Sequence, residues 1–169
     1  MTAVLVIFAL LLQSKVRFGA ICGMAFLRLQ VVCIAGGRAV EDYAYWVKVP
    51  KDNGYGICVM SRLALSDITV REVVTEGVPS VRAGVTLRSG ARLRLYVIHP
   101  EPPVIHHDTK GRDSEIAHVG MEAARDPLPA IVTGDLNDVA WSSTTRSFQR
   151  LSGLLDPWIG TVAAGLFVS

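Results

Sequence analysis

Asp135 and Asn137 are the pair in this sequence whose types and spacing suit joint work on a phosphate group. They stand in Ala130-Ile131-Val132-Thr133-Gly134-Asp135-Leu136-Asn137-Asp138, where an apolar, β-branched run reads as a buried strand and Gly134 breaks it. Residues two apart in extended backbone point the same way, so the two would project together with Cα atoms about 6–7 Å apart. A carboxylate so placed can orient an attacking water or hold a metal, while the carboxamide binds a non-bridging oxygen. The same residues can also form a plain Gly-Asp turn whose side chains bond their own backbone. His99 ends a second strand-like run as Asp135 ends the first, and an imidazole near a phosphate can donate a hydrogen bond or a proton. A half-buried histidine opening a proline turn would look alike. His106-His107-Asp108 has metal-ligand chemistry but lies in a loop without spaced partners, and Arg112 with Asp113 reads as a solvated first turn of a helix. No P-loop, GxGxxG, GxSxG or HExxH pattern is present.

The elements that must position these groups begin near Tyr43. Residues 43–49 are aromatic and β-branched, and Lys51-Asp52-Asn53-Gly54 is a turn leading into a strand over 56–60. Further strands are expected over 68–75 and 80–88, and Ser89-Gly90 turns the chain into 92–98. This pattern predicts a meander of antiparallel strands. A helix over 109–125 carries the apolar stripe Ile116, Val119 and Ala123 and stops before Pro127 and Pro129. After the Ile131 strand, a second helix starts at Ser142-Ser143, buries Phe148 and Leu151, and ends at Gly153. Strands, helix, strand, helix make a layered α/β arrangement.

The 169 residues suffice for one ordinary domain. The overall charge of +2 hides an asymmetry. No acidic residue precedes Glu41, while Lys15, Arg17, Arg28 and Arg38 do; the other 13 basic residues face all 15 acidic ones, a balance of −2 from residue 41 onward. That body is no basic nucleic-acid grip. Cys22, Cys33 and Cys58 form no CxxC and no disulfide framework, and Cys58 reads as a core residue. Residues 3–12 and 20–35 are apolar, each shorter than an uninterrupted span of about 20 residues. The segment 1–40 is therefore an apolar basic leader that would serve as a membrane anchor through residues 1–35, as a buried helix, or as sequence foreign to the domain. The expected location is membrane-associated on the first reading and cytoplasmic on the others.

Asp52-Asn53-Gly54-Tyr55-Gly56, the run ending Ser61-Arg62-Leu63, the strand ending His99-Pro100, and Gly134-Asp135-Leu136-Asn137-Asp138 with Trp141-Ser142 occur in that order. Together they resemble the endonuclease/exonuclease/phosphatase family of DNase I-like, metal-dependent hydrolases, over roughly residues 43–160. The resemblance implies a four-layer α/β sandwich with mixed and antiparallel sheets, phosphodiester or phosphomonoester hydrolysis, and Mg²⁺ or Mn²⁺ as cofactor. It implies that Asp135 orients or deprotonates water, that Asn137 contacts the phosphate or metal, and that His99 stabilises charge on the phosphoryl oxygens. The partner would be a phosphate ester, with nucleic acid, lipid and sugar phosphate all open.

Two departures shape the expectation. The family carries a metal-binding Glu on an early strand, yet nothing before Glu41 is acidic here, and Glu41 lies too close to Tyr43. The family also closes with Ser-Asp-His, whereas no His follows His118, no Asp follows Asp156, and residues 161–169 form an apolar tail. Read this way, residues 41–160 are a partial, weakly active or inactive domain, since residues that act as a unit fail as a unit. The alternative is a non-catalytic, degenerate module that binds a phosphate-bearing ligand or a protein.

Overall fold

The computed structural model describes residues 29–34, 40–103, 108–139, 141–155 and 166–168, with backbone alone at 29–34, 40 and 166–168. Two sheets are built from strands whose side chains alternate between faces. The first sheet has β1 (Leu29–Ile34), β2 (Tyr45–Val49) and β3 (Gly56–Ser61) in the order β1-β3-β2. Here β1 runs parallel to β3 and β2 antiparallel to it. The second sheet has β4 (Ala64–Glu72), β5 (Pro79–Thr86), β6 (Arg92–Ile98), β7 (Ala130–Gly134) and β8 (Leu166–Val168), in that order. All its neighbours pair antiparallel except β6 and β7, which α1 (Lys110–Arg125) connects in parallel. The helix α2 (Ser143–Ser152) follows β7.

The expected antiparallel meander is thus split. Only β4, β5 and β6 form one, because the chain changes sheets at Ser61-Arg62-Leu63, where Ser61 Oγ donates to Leu63 O and accepts from Leu63 N–H. The strand expected over 68–75 starts at Ala64 and ends at Glu72. Residues 166–168, a plain tail by sequence, add β8 to the second sheet. Residues 29–34, inside the segment set apart as a leader, form β1 of the first sheet. Residues 1–28 lie outside the described residues, and with them most of the membrane anchor assigned to residues 1–35. Among the described residues no helix is long and apolar enough to cross a membrane.

The alternation of side chains sets the layers. Val47, Ile57 and Val59 of the first sheet meet Val81, Val85, Leu93, Leu95, Val97 and Ile131 of the second, closing a core between the sheets. Tyr96, Ile98, Ala130 and Val132 leave the second sheet on its other face and pack against Ile116, Val119 and Ala123 of α1 and Phe148 of α2. Cys58 and Met60 take the outer face of the first sheet with Tyr43. Burying each large aliphatic or aromatic side chain contributes about 1.5–3 kcal/mol, so these cores hold the scaffold on which the loops sit.

On α2 the buried residues are Thr145, Phe148 and Ser152, and Leu151 is 45% exposed against expectation. At about 100° per residue, Leu151 lies roughly 90° from the centre of that stripe. The helix begins as its sequence predicts, with Ser142 Oγ accepting from Thr145 N–H at 2.9 Å, and ends at Gly153 with φ +70°.

Candidate active site

The site is assembled by one pairing. In the parallel β6/β7 ladder Ile98 lies opposite Gly134, so the next residue on each strand, His99 and Asp135, emerge side by side at the carboxyl ends of the strands. Loops at such strand ends are where layered α/β folds place ligands. Gly134 makes the approach possible: a Cβ there would stand 1.8 Å from Ile98 O. The residue's φ of +141° also belongs to glycine.

Beyond Gly134 the chain is a tight turn, as the plain reading of the sequence foresaw. Asp135 Oδ1 accepts from Asn137 N–H at 3.1 Å, and Asn137 takes the left-handed conformation at φ +49°. Asn137 Nδ2 donates to Pro100 O at 2.8 Å, tying the β7 loop to the residue after His99. His99, Asp135 and Asn137 are therefore brought together. Leu136, between them, is buried in the helix-side core and anchors the turn.

Arg112 holds this turn from below, which corrects its reading as a solvated residue. It is 9% exposed, and its Nη1 donates to Asn137 O at 2.8 Å and lies 3.9 Å from Asp138 Oδ1. Asp138 Oδ2 in turn accepts from Ser142 Oγ and from Thr145 Oγ1, linking the turn to the start of α2. A signal for Arg112 exists in the sequence: it precedes Ile116, Val119 and Ala123 at spacings that continue their stripe. Asp113 accepts from Thr109 Oγ1 at 2.7 Å and from Arg112 Nε at 2.9 Å. Burial pushes the Asp113 carboxyl up, but these donors outweigh it and hold it below the ordinary value. His106 and His107 lie outside the described residues; Asp108 pairs with Lys110 at 2.8 Å.

The first sheet contributes Tyr55, which sequence reasoning left in a turn. Its ring meets that of His99 edge-on, with centroids 5.8 Å apart and planes at 62°. Asn53 accepts from Tyr55 N–H at 3.1 Å and donates to Gly77 O at 2.9 Å, so this turn bridges the two sheets at the site. Burial, then the charge of Glu101, push the Tyr55 hydroxyl up, keeping it a proton donor near neutrality. His99 Nδ1 is buried without a hydrogen-bond partner. Burial pushes the imidazole below its usual value; the Asp135 carboxylate pulls the other way and loses.

The neutral ring should be visible directly. By NMR, His99 is expected to titrate below the ordinary 6.5, and lower still in Asp135→Asn, which removes the opposing carboxylate. A depressed folded value means this residue costs nothing above pH 6.5 and destabilises the fold as pH falls through it. A midpoint above 6.5 would contradict this account.

Magnesium or manganese takes about six oxygen ligands. Among the described residues no three His, Cys, Asp or Glu side chains converge on one point. Asp135 offers a carboxylate and Asn137 an amide oxygen, its Nδ2 being taken up by Pro100 O. A magnesium ion held here would draw the rest of its shell from water and the phosphate of a substrate.

A family model, the Endonuclease/Exonuclease/phosphatase family, matches residues 11–167. The chain belongs to this family. Its match begins well before residue 43 and ends in β8. Among solved structures, a β-hairpin deletion mutant of beta toxin from Staphylococcus aureus superposes with TM-score 0.56 at 12% identity, over 76% of this chain and 65% of that one. It supports the shared DNase I-like α/β fold. An endonuclease/exonuclease/phosphatase family protein of Bacteroides thetaiotaomicron gives TM-score 0.49 at 18% identity, over 66% and 47% of the two chains. A mannosyl-6-phosphatase of the same organism gives 0.48 at 18%, over 66% and 49%. The chain thus spans less than two thirds of each. No curated protein matches the sequence significantly.

Proposed function

We propose that this chain binds a phosphate ester at the His99–Asp135 edge and hydrolyses it. The observation that carries the proposal is the Ile98–Gly134 register, which sets a carboxylate and a neutral imidazole on adjacent strand ends. With Oδ1 oriented by Asn137 N–H, the Asp135 carboxylate takes a proton from water as the water oxygen attacks phosphorus; the ester P–O bond breaks, its electron pair leaving with the alcohol oxygen, which takes a proton from solvent. Neutral His99 donates its ring N–H to a non-bridging oxygen on which charge grows. Arg112 and Pro100 O keep the turn in the shape this needs. Family membership supports phosphoester chemistry; the balance of −2 beyond residue 41 does not favour a polynucleotide.

A second reading, a binding module without catalysis, is favoured by the lack of three converging donors among the described residues. Hydrolysis of bis(p-nitrophenyl) phosphate separates the two. The full chain is assayed with Mn²⁺, with Mg²⁺ or with EDTA, beside Asp135→Ala. A turnover that falls at least about 100-fold in the variant supports hydrolysis. Folded protein that binds inorganic phosphate through His99 but turns nothing over supports the module.

A further inference from the structure

We propose that Glu115 is a positioning residue for this site: while it carries a proton the His99–Glu101 loop rests against α1, and on ionisation its charge drives the loop away. Glu115 faces the core from α1 and is 1% exposed, yet its Oε1 has no hydrogen-bond partner. A carboxylate left so dry and unbonded is costly, whereas a carboxylic acid is tolerated. The groups around it do not supply the missing charge. From β4, Arg71 faces Glu115, but its guanidinium is held by both oxygens of Glu122, further along α1. Arg71 Nε is likewise buried and unpartnered, so the two do not meet within hydrogen-bonding distance.

From the loop after β6 comes a like charge. Glu101 lies against α1 at Gly111, where an added Cβ would stand 2.6 Å from Glu101 Oε2 and 3.2 Å from Thr75 Oγ1. Thr75 Oγ1 donates to that same oxygen at 3.1 Å. Gly111 and Glu115 are four residues apart and so share a helix face. Two carboxyl groups thus occupy one side of α1, one of them dry. Burial, then the charge of Glu101, push the Glu115 carboxyl up to about 7, while Arg71 pulls it down. With Glu115 protonated, Glu101 rests on Gly111 and Thr75. Ionising Glu115 adds repulsion between the two acids, and the element free to yield is the loop. That loop carries His99 and the Pro100 carbonyl that receives Asn137. Tyr55 faces both His99 and the charge of Glu101.

The inference takes the His99–Asp135 edge as the site, but its test reads conformation and holds whether or not the chain hydrolyses an ester. NMR spectra of the full chain are followed from pH 5 to 9 through the His99 ring and the Asn137 side-chain amide. Both should report a second inflection near 7, separate from the titration of His99 itself. Glu115→Gln, which keeps the shape and removes the charge, should abolish it, and Glu101→Gln should move it lower by about one pH unit. The same proton contributes stability that is present in acid and lost as pH rises through about 7, and Glu115→Gln should remove that part of the slope. No second inflection in the wild type, or one that survives Glu115→Gln, overturns the proposal. Should Glu115→Gln fail to fold, an inflection unmoved by Glu101→Gln overturns it equally.

Discussion

Gly134→Ala is expected to abolish folding. The new Cβ would lie 1.8 Å from Ile98 O, 2.9 Å from Ile98 C and 3.1 Å from Ile98 N, all backbone atoms of the neighbouring strand. No rotamer relieves a Cβ, so β6 and β7 must part, and with them the pairing that joins His99 to Asp135. The φ of +141° adds strain for any L side chain. Together these exceed about 5 kcal/mol, a large share of the 5–15 kcal/mol that ordinary domains possess. Gly90→Ala is the control, because its φ is +84° but nothing lies within 4 Å of the added carbon. It should cost about 1 kcal/mol in urea denaturation and leave a cooperative transition. Comparable losses for both variants would mean that backbone conformation, and not contact with β6, decides the Gly134 position.

Asp126→Ala should be the next most damaging change, at about 3–5 kcal/mol. Its side chain is 1% exposed. Oδ2 accepts from Arg82 Nη2 at 3.0 Å, Arg94 Nε at 2.9 Å and Tyr96 Oη at 3.0 Å, while Oδ1 accepts from Leu128 N–H at 3.1 Å. Arg82 can fall back on Glu122, 3.4 Å away, and on solvent. Arg94 cannot: its side chain is 10% exposed and its Nη1 already lacks a partner, so removal of Asp126 strands a buried cation. Burial pushes the Asp126 carboxyl up, but the backbone and side-chain donors outweigh it and hold it below the ordinary 3.8. A depressed value means the stabilisation is complete above 3.8 and is lost as pH falls through the folded value. Urea midpoints from pH 2 to 5 should therefore drop in acid for the wild type and far less for Asp126→Asn. An equal acid limb in both would assign it to another carboxyl.

Much of the scaffold could be read locally. The Ser89-Gly90 turn, the strand over 92–98, the cap at Ser142 and the stripe of Ile116, Val119 and Ala123 are each fixed by neighbours in the chain, and each stands where expected. Partners are another matter. Alternation told which side chains of β3 face which way, but not that β1 would lie beside it in parallel or that β4 would leave for the other sheet. Those choices rest on contacts between residues far apart in sequence, which no local period encodes. The Asp135–Asn137 turn was visible because glycine and asparagine mark unusual backbone. Glu115 was not, since a charged residue on a helix is usually solvated and its burial depends on what the β6 loop brings to it, while Arg112 was marked only by its spacing to the Ile116 stripe.

The bulge in β4 bears on how the molecule behaves in a crowd. Among the described residues β4 is an outer strand of the second sheet and exposes Ile68 and Val70 at 46% and 45%. Such a strand is a template for another chain's backbone. Between Ser66 and Thr69 the register shifts, with Asp67 turned left-handed at φ +49°. Asp67 reaches back to Arg92 at 2.7 Å. The outward row of amides and carbonyls is therefore broken near its middle and flanked by an ion pair. An incoming strand finds only a few residues in register on either side, too short a run to seed edge-to-edge aggregation through its two exposed aliphatic residues.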